Sequence, residues 1–167
     1  VSNGFTTGIE YYNPANYQAS IIFYYNKFDN LIQDYAIEPG LLSYENITNA
    51  EYQGIEMQGR WSISSVWISS WGLNIIDNRD GEGNMIPNTE PLSFYSRFSY
   101  KEPHNLWDLS IQVKWVGSFT PSQYDPDSGD YINTGKKDDF FIINSKIKIN
   151  TWSSVDLGIG IKNIGNY

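Results

Sequence analysis

The sequence predicts an all-β fold: an antiparallel, up-and-down transmembrane β-barrel, with about eight strands forming an arc of a larger cylinder. Three observations predict it. The stretch Leu106 to Gly117 alternates without a break, with Trp107, Leu109, Ile111, Val113 and Trp115 on one side and Asp108, Ser110, Gln112 and Lys114 on the other. Successive strand residues point to opposite faces, so this ribbon has one apolar and one wet side. Connections between such ribbons alternate short and long along the chain, as periplasmic turns and extracellular loops do. Tryptophans gather beside the short connections: Trp61 and Trp67 flank one, and Trp107 and Trp152 lie next to two others. Aromatic girdles at a membrane interface would place them there.

The first strand, Phe5 to Tyr12, is weakly patterned and runs into the turn residues Asn13-Pro14-Ala15-Asn16. Tyr17 to Gln33 follows, with Tyr17, Ala19, Ile21, Phe23 and Tyr25 facing away from Gln18, Ser20 and Asn26. A polar stretch containing Glu38-Pro39-Gly40 separates it from a third strand, about Ile47 to Trp61, where Ile55, Met57 and Trp61 oppose Glu56, Gln58 and Arg60. Ser62 to Ser65 is a tight turn. Val66 to Ile76 then puts Trp67, Trp71, Leu73 and Ile75 on one face. Asp77 to Pro91 reads as a loop, from its density of Gly, Asn, Asp and Pro.

Leu92 to Lys101 alternates Leu92, Phe94, Phe98 and Tyr100 with Ser93, Arg97, Ser99 and Lys101. Pro103-His104-Asn105 turns the chain into the Leu106–Gly117 ribbon. Ser118 to Asp138 reads as a second long polar loop. Phe141, Ile143, Ile147 and Ile149 then alternate with Asn144, Lys146 and Lys148. Beyond a turn at Asn150 to Ser153, Val155, Leu157, Ile159 and Ile161 alternate with Asp156, Gly158, Gly160 and Lys162. Most of these runs approach the roughly 9–11 residues a tilted strand needs to cross a bilayer. With the short turns inside, the first strand descends and the last ascends. Both ends would then lie outside, the reverse of a complete small barrel, and an arc of a larger one is expected.

Composition removes several function classes. The 167 residues carry a net charge of −8, which leaves no electrostatic footprint for nucleic acid. Cysteine is absent and His104 is the single histidine, so thiol chemistry and multi-histidine zinc sites are excluded. No apolar run reaches the length of about 18 residues that a transmembrane helix requires. Serine, histidine and aspartate form no recognisable catalytic grouping, and His104 reads as an exposed turn residue; no enzyme activity and no cofactor are expected. Asp125, Asp127 and Asp130 are closely spaced oxygen donors suited to a hard cation, and Asp80, Glu82 and Asn84 are a looser set. They lack an EF-hand's ligand pattern and its closing glutamate, so a solvated acidic loop is the expectation and no metal site is assigned. The charged residues Glu56, Arg60, Arg97, Lys101, Asp108, Lys114, Lys146, Asp156 and Lys162 all fall on the polar strand faces, which would line a lumen.

Several passages resemble the C-terminal barrel of TonB-dependent outer-membrane receptors. Tyr44-Glu45-Asn46-Ile47 followed by Ala50-Glu51-Tyr52-Gln53-Gly54-Ile55-Glu56 is similar to the family's strand with a Gly-hydrophobic-Glu step. Val155 to Tyr167, VDLGIGIKNIGNY, resembles its penultimate strand, with Ile164-Gly165-Asn166 replacing the usual Leu-Phe-Asp. Pro87 to Tyr100, Gly8-Ile9-Glu10 and Phe28-Asp29-Asn30-Leu31-Ile32 look like intervening and upstream strands. The resemblance implies that residues 1–167 are a partial barrel domain, about one third of a cylinder of roughly 22 strands.

It also implies a transport receptor in the bacterial outer membrane, in contact with lipid, that binds a ferric siderophore, haem or similar nutrient at its extracellular face. TonB would act through the plug and TonB box, which lie outside these residues. Ligand contacts are expected from the long loops, at Tyr35, Tyr44, Arg79, Asn84, Tyr124 and Tyr131; aromatic and Arg groups suit planar or catecholate ligands. Two rivals stand beside this reading: a passive porin or adhesin barrel, and a soluble β-sandwich such as a carbohydrate-binding module, in which the same apolar faces would pack against a second layer.

Overall fold

The computed structural model describes residues 2–38, 41–86, 88–125, 130–152 and 155–165. Eight strands form one sheet: β1 (Ser2–Asn13), β2 (Tyr17–Glu38), β3 (Leu41–Ser62), β4 (Trp67–Asp80), β5 (Leu92–Lys101), β6 (Trp107–Val116), β9 (Phe140–Trp152) and β10 (Val155–Ile161). Between β6 and β9 the chain makes a separate hairpin of β7 (Ser122–Asp125) and β8 (Asp130–Asn133). Each sheet strand pairs antiparallel with the next, in the order β1-β2-β3-β4-β5-β6-β9-β10, and β1 and β10 are the sheet's open edges. No described helix is long and apolar enough to cross a membrane, which says nothing about crossing by strands.

The register explains why an alternating sequence becomes a one-sided sheet. Directly opposed residues share a face. Ile9 opposes Ile21, Ile21 opposes Met57 and Met57 opposes Leu73. Leu73 opposes Phe94, Phe94 opposes Trp115 and Trp115 opposes Phe141. Lower down the same face, Leu109 opposes Ile147, which opposes Ile159. A slip of one residue in any pair would send that strand's apolar set to the other face. All nine charged residues assigned to the polar faces stand on the opposite side, among them the register partners Arg60–Ser70, Arg97–Gln112, Lys101–Asp108 and Gly160–Lys146.

No second layer covers the apolar face among the described residues. Phe98 is 51% exposed, Phe141 50% and Ile159 56%, while the buried apolar residues among those described are Ala50, Ile86 and Val116. A sandwich would bury such side chains between two sheets, so the soluble-sandwich alternative fails here. Aromatic rings bound the apolar band. At the short-turn end Trp67, Tyr100 and Trp107 form a chain, with ring centroids 4.7 and 5.1 Å apart, and Tyr11 neighbours Tyr17 at 6.2 Å. At the other end stand Phe5 beside Tyr25, and Trp115 opposite Phe141. Trp107 and Trp115 lie eight positions apart on β6, about 26 Å of strand and roughly 20 Å after tilt, close to the apolar band of about 25 Å in outer-membrane barrels.

The strands outrun their predicted bounds on the side of the long connections. β2 continues to Glu38 rather than Gln33, β3 begins at Leu41 rather than near Ile47, and β4 reaches Asp80 although Asp77 to Pro91 reads as a loop. The predicted loop from Ser118 to Asp138 contains the β7–β8 hairpin. Beyond the apolar band both faces of a strand meet water, so alternation, the signal that marks a strand in the sequence, is no longer required.

Candidate ligand-binding rim

The long-connection end gathers the β2–β3 hairpin, the β4–β5 loop and the β7–β8 hairpin. β7 approaches β2, which brings two separately folded hairpins to one part of the rim. Tyr35 stands in β2 opposite Ser43, and Tyr44 stands in β3 opposite Asp34. The Tyr44 side chain is 72% exposed. Tyr124 and Tyr131 oppose each other across β7 and β8, as do Asp125 and Asp130. Asp127 lies outside the described residues. The structure therefore places Tyr35 and Tyr44 on one hairpin and Tyr124 and Tyr131 on another, side by side.

Arg79 and Asn84 have a different setting, within the β4–β5 loop. Arg79 donates from Nε to Asp77 at 3.1 Å and from a terminal nitrogen to the Gly83 carbonyl at 2.8 Å. Asp80 Oδ1 accepts the backbone N–H groups of Glu82 (3.0 Å) and Asn84 (2.8 Å), and the Asp80 N–H donates to the Asn84 carbonyl at 2.9 Å. The Asn84 amide reaches Asp80 Oδ2 and Glu82 Oε2, each at 3.4 Å. Gly83 holds φ +85°, a left-handed conformation that a side chain would strain. Residues 80 to 84 thus form a compact Asp-capped turn, and Arg79 and Asn84 serve its own hydrogen bonds. Asp80's oxygens face donors, and no group of three His, Asp or Glu side chains converges among the described residues.

Below this turn, just above the apolar band, Asp77 accepts from Arg79 and from the Gln53 amide at 3.0 Å. The Arg79 guanidinium, against the opposing effect of desolvation and with help from Gln53, holds the Asp77 carboxyl below its ordinary range. Two further ties were not legible in the sequence, because each joins residues 24 positions apart. Lys114 pairs with Glu90 at 3.2 Å, and Trp115 Nε1 donates to Asp139 at 2.9 Å. They anchor the mouths of the β4–β5 and β6–β9 connections to β6, so the rim is built on the rigid sheet. Lys137 lies over the Phe140 ring at 4.4 Å, a cation–π contact at the foot of the same connection.

A family model described as TonB dependent receptor-like, beta-barrel, matches residues 1–164. The chain belongs to that family. No curated protein sequence matches it. Among solved structures, a variant of the ferric enterobactin receptor PfeA from Pseudomonas aeruginosa superposes with a TM-score of 0.77 at 20% identity, over 98% of this chain and 25% of that one. The FrpB iron transporter from Neisseria meningitidis gives 0.75 at 11% identity, over 99% and 27%. The copper transporter OprC gives 0.77 at 16%, over 99% and 25%. At these identities the likeness concerns the fold. The chain spans about a quarter of the length of the solved structures it matches, and the eight-stranded open sheet is the arc of such a TonB-dependent receptor barrel.

Proposed function

We propose that this chain is part of an outer-membrane, ligand-gated transport receptor that takes up a metal chelate, with a ferric siderophore, haem or similar nutrient as the ligand class. The observation that carries the reading is the register, which collects every apolar strand set on one exposed face between two aromatic belts and every strand charge of the band on the other. Membership of the TonB-dependent receptor family supports it. So do the activities of the structural neighbours, which include iron and copper transport. In this reading the arc belongs to a barrel of roughly 22 strands, and TonB delivers energy through a plug carried elsewhere in the receptor.

The ligand is met at the rim. Tyr44 and the paired hairpins that carry Tyr35, Tyr124 and Tyr131 would contact it, whereas Arg79 and Asn84 would act by fixing the turn beneath. The receptor reading is tested by fractionating cells that express the full-length receptor and by following their growth on limiting iron when its gene is deleted. Recovery in the outer membrane, with a growth defect that returned TonB-dependent transport repairs, is the expected result. Recovery in the soluble fraction overturns it. A passive porin differs by a single readout: its solute flux would persist in cells lacking TonB.

A further inference from the structure

The buried side chains of this sheet are concentrated in one place. Six residues other than glycine are buried among those described: Ala50, Ser69, Ile86, Thr89, Ser93 and Val116. All but Ser69 belong to the β4–β5 connection or to the long-connection end of the strands around it. Ala50 opposes Asp80, the last residue of β4, and Ser93 opposes Val116, the last residue of β6. The register sets Ala50, Ser93 and Val116 on the inner face, in line with Glu56, Asn74 and Lys114. At the mouth of a sheet open to water, such residues are buried only when something lies over them.

The β4–β5 connection supplies the cover. Ile86 and Thr89 are its buried residues, and its Glu90 pairs with Lys114 of the inner wall at 3.2 Å. Backbone bonds hold it at both ends. The Ile86 N–H donates to the Asn78 carbonyl and the Ile76 N–H to the Pro91 carbonyl, each at 2.9 Å. The Gly117 N–H donates to the Leu92 carbonyl at 2.8 Å. Residues 84–86 and 88–91 therefore fold inward, as a strap against the wall of β4, β5 and β6. Loops that close over a ligand are drawn from the least stable parts of a structure, with few buried contacts. This one has the opposite make-up, whereas Tyr44 on the β2–β3 hairpin is exposed.

We propose that the strap is a fixed constriction that sets the size of ligand the receptor's mouth admits. It takes the β4–β6 wall out of the ligand's reach and leaves the side where the β2–β3 and β7–β8 hairpins carry Tyr44, Tyr124 and Tyr131. The inference rests on the receptor reading above, which puts this end of the sheet outside the cell, and adds which part of the mouth is closed. In the sequence its trace is the pair Met85-Ile86 within a polar loop; the first side chain is exposed and the second buried.

The test uses single-cysteine variants of the full-length receptor in intact cells. They are treated with a membrane-impermeant maleimide, and labelled peptides are read by mass spectrometry. Tyr44→Cys and Met85→Cys should label fast, and Ser93→Cys about tenfold or more slowly. Adding Ile86→Asp to Ser93→Cys should remove that protection, and adding Glu90→Gln should remove part of it. A polymer-linked maleimide should be slowed more than the small one at Ser93→Cys, and Ile86→Asp should abolish the difference. Heat-dependent gel mobility reports that each barrel is folded, and Ile86→Ala replaces Ile86→Asp should the latter fail to fold.

Ser93→Cys labelling as fast as Tyr44→Cys in the parent overturns the proposal. So does protection that survives replacement of Ile86, which would assign the cover to another part of the receptor. Equal slowing of the small and polymer-linked reagents overturns the size filter. If Tyr44→Cys and Met85→Cys label only after lysis, the receptor reading fails instead. The strap is then judged in lysed cells, by the same comparison of Ser93→Cys with Tyr44→Cys.

Discussion

Tyr24 lays its ring over Gly54 on the adjacent strand. The two are register partners of β2 and β3, and a Cβ built on Gly54 would fall 2.5 Å from both the Tyr24 hydroxyl and the Ile75 carbonyl oxygen. The glycine of the Gly54-Ile55-Glu56 step is therefore a steric requirement of the inner wall. Gly54→Ala should destabilise the refolded receptor by about 1–3 kcal/mol through overpacking. The double variant with Tyr24→Ala should regain part of that loss, since the ring clash goes and the carbonyl clash stays. Urea unfolding in detergent measures both; a Gly54→Ala variant as stable as the parent would refute the account.

The two faces of β6 make a paired test of which side meets hydrocarbon. Ile111 is 42% exposed on the apolar face, and Gln112 is the next residue, on the inner wall. Ile111→Arg is expected to cost about 2–4 kcal/mol in a bilayer, as a cation near the midplane does. Gln112→Arg should be tolerated, with a loss below about 1 kcal/mol. Equal effects in lipid vesicles would contradict the assignment of faces.

At the short-turn end, the Glu102 carboxylate collects the N–H of Leu106 (3.1 Å), the N–H of His104 (2.9 Å) and His104 Nδ1 (2.8 Å). The Leu106 N–H first, and then His104, hold its pKa below the ordinary carboxylate value. A pKa lowered on folding means that the ionised carboxylate stabilises the turn at and above the unfolded pKa of about 4.3, and that this support is lost as pH falls through the lower folded value. Amide exchange at His104 and Leu106, normalised to intrinsic rates, should therefore accelerate only on acidification below the ordinary carboxylate range. Glu102→Gln should show fast exchange at all pH values. A pH-independent turn in the parent would be inconsistent with this.

The Asp80 turn provides a test at the rim. Asp80→Ala removes the acceptor of two backbone N–H groups, a local loss of about 1–3 kcal/mol. Limited proteolysis between Gly81 and Met85 should speed up by about tenfold or more, with global unfolding unchanged. Arg79→Ala is expected to act in the same direction and less strongly, because it frees the Gly83 carbonyl and Asp77 but leaves the cap. Ligand affinity falling in Arg79→Ala without any change in cleavage would instead place its guanidinium on the ligand.

How much was legible follows from where the solvent changes. Within the band, hydrocarbon on one side and water on the other force alternation, and so Trp107 to Trp115, Leu92 to Lys101 and Tyr17 to Tyr25 were readable as strands with the correct faces. Above it that constraint lapses, and Asp34 to Glu38 and Leu41 to Asn46 carry no pattern that separates strand from loop; only pairing across the hairpin makes them strands. Residue type and loop position single out Tyr44 and Tyr124, and the register puts both on rim hairpins. The local role of Arg79 and Asn84 could not be read in this way, because it depends on the left-handed Gly83 and on Asp80 closing the turn.

The open edges along β1 and β10 have a consequence for biogenesis. Each edge is a row of amide and carbonyl groups facing outward, and hydrocarbon has nothing to satisfy them, at several kcal/mol per group. Ser2–Asn13 and Val155–Ile161 therefore need flanking strands before they can reside in a bilayer. Insertion one hairpin at a time would strand those groups in the membrane interior. The seam therefore has to be closed by pairing, or kept shielded by water or a catalyst, until its neighbours are in place.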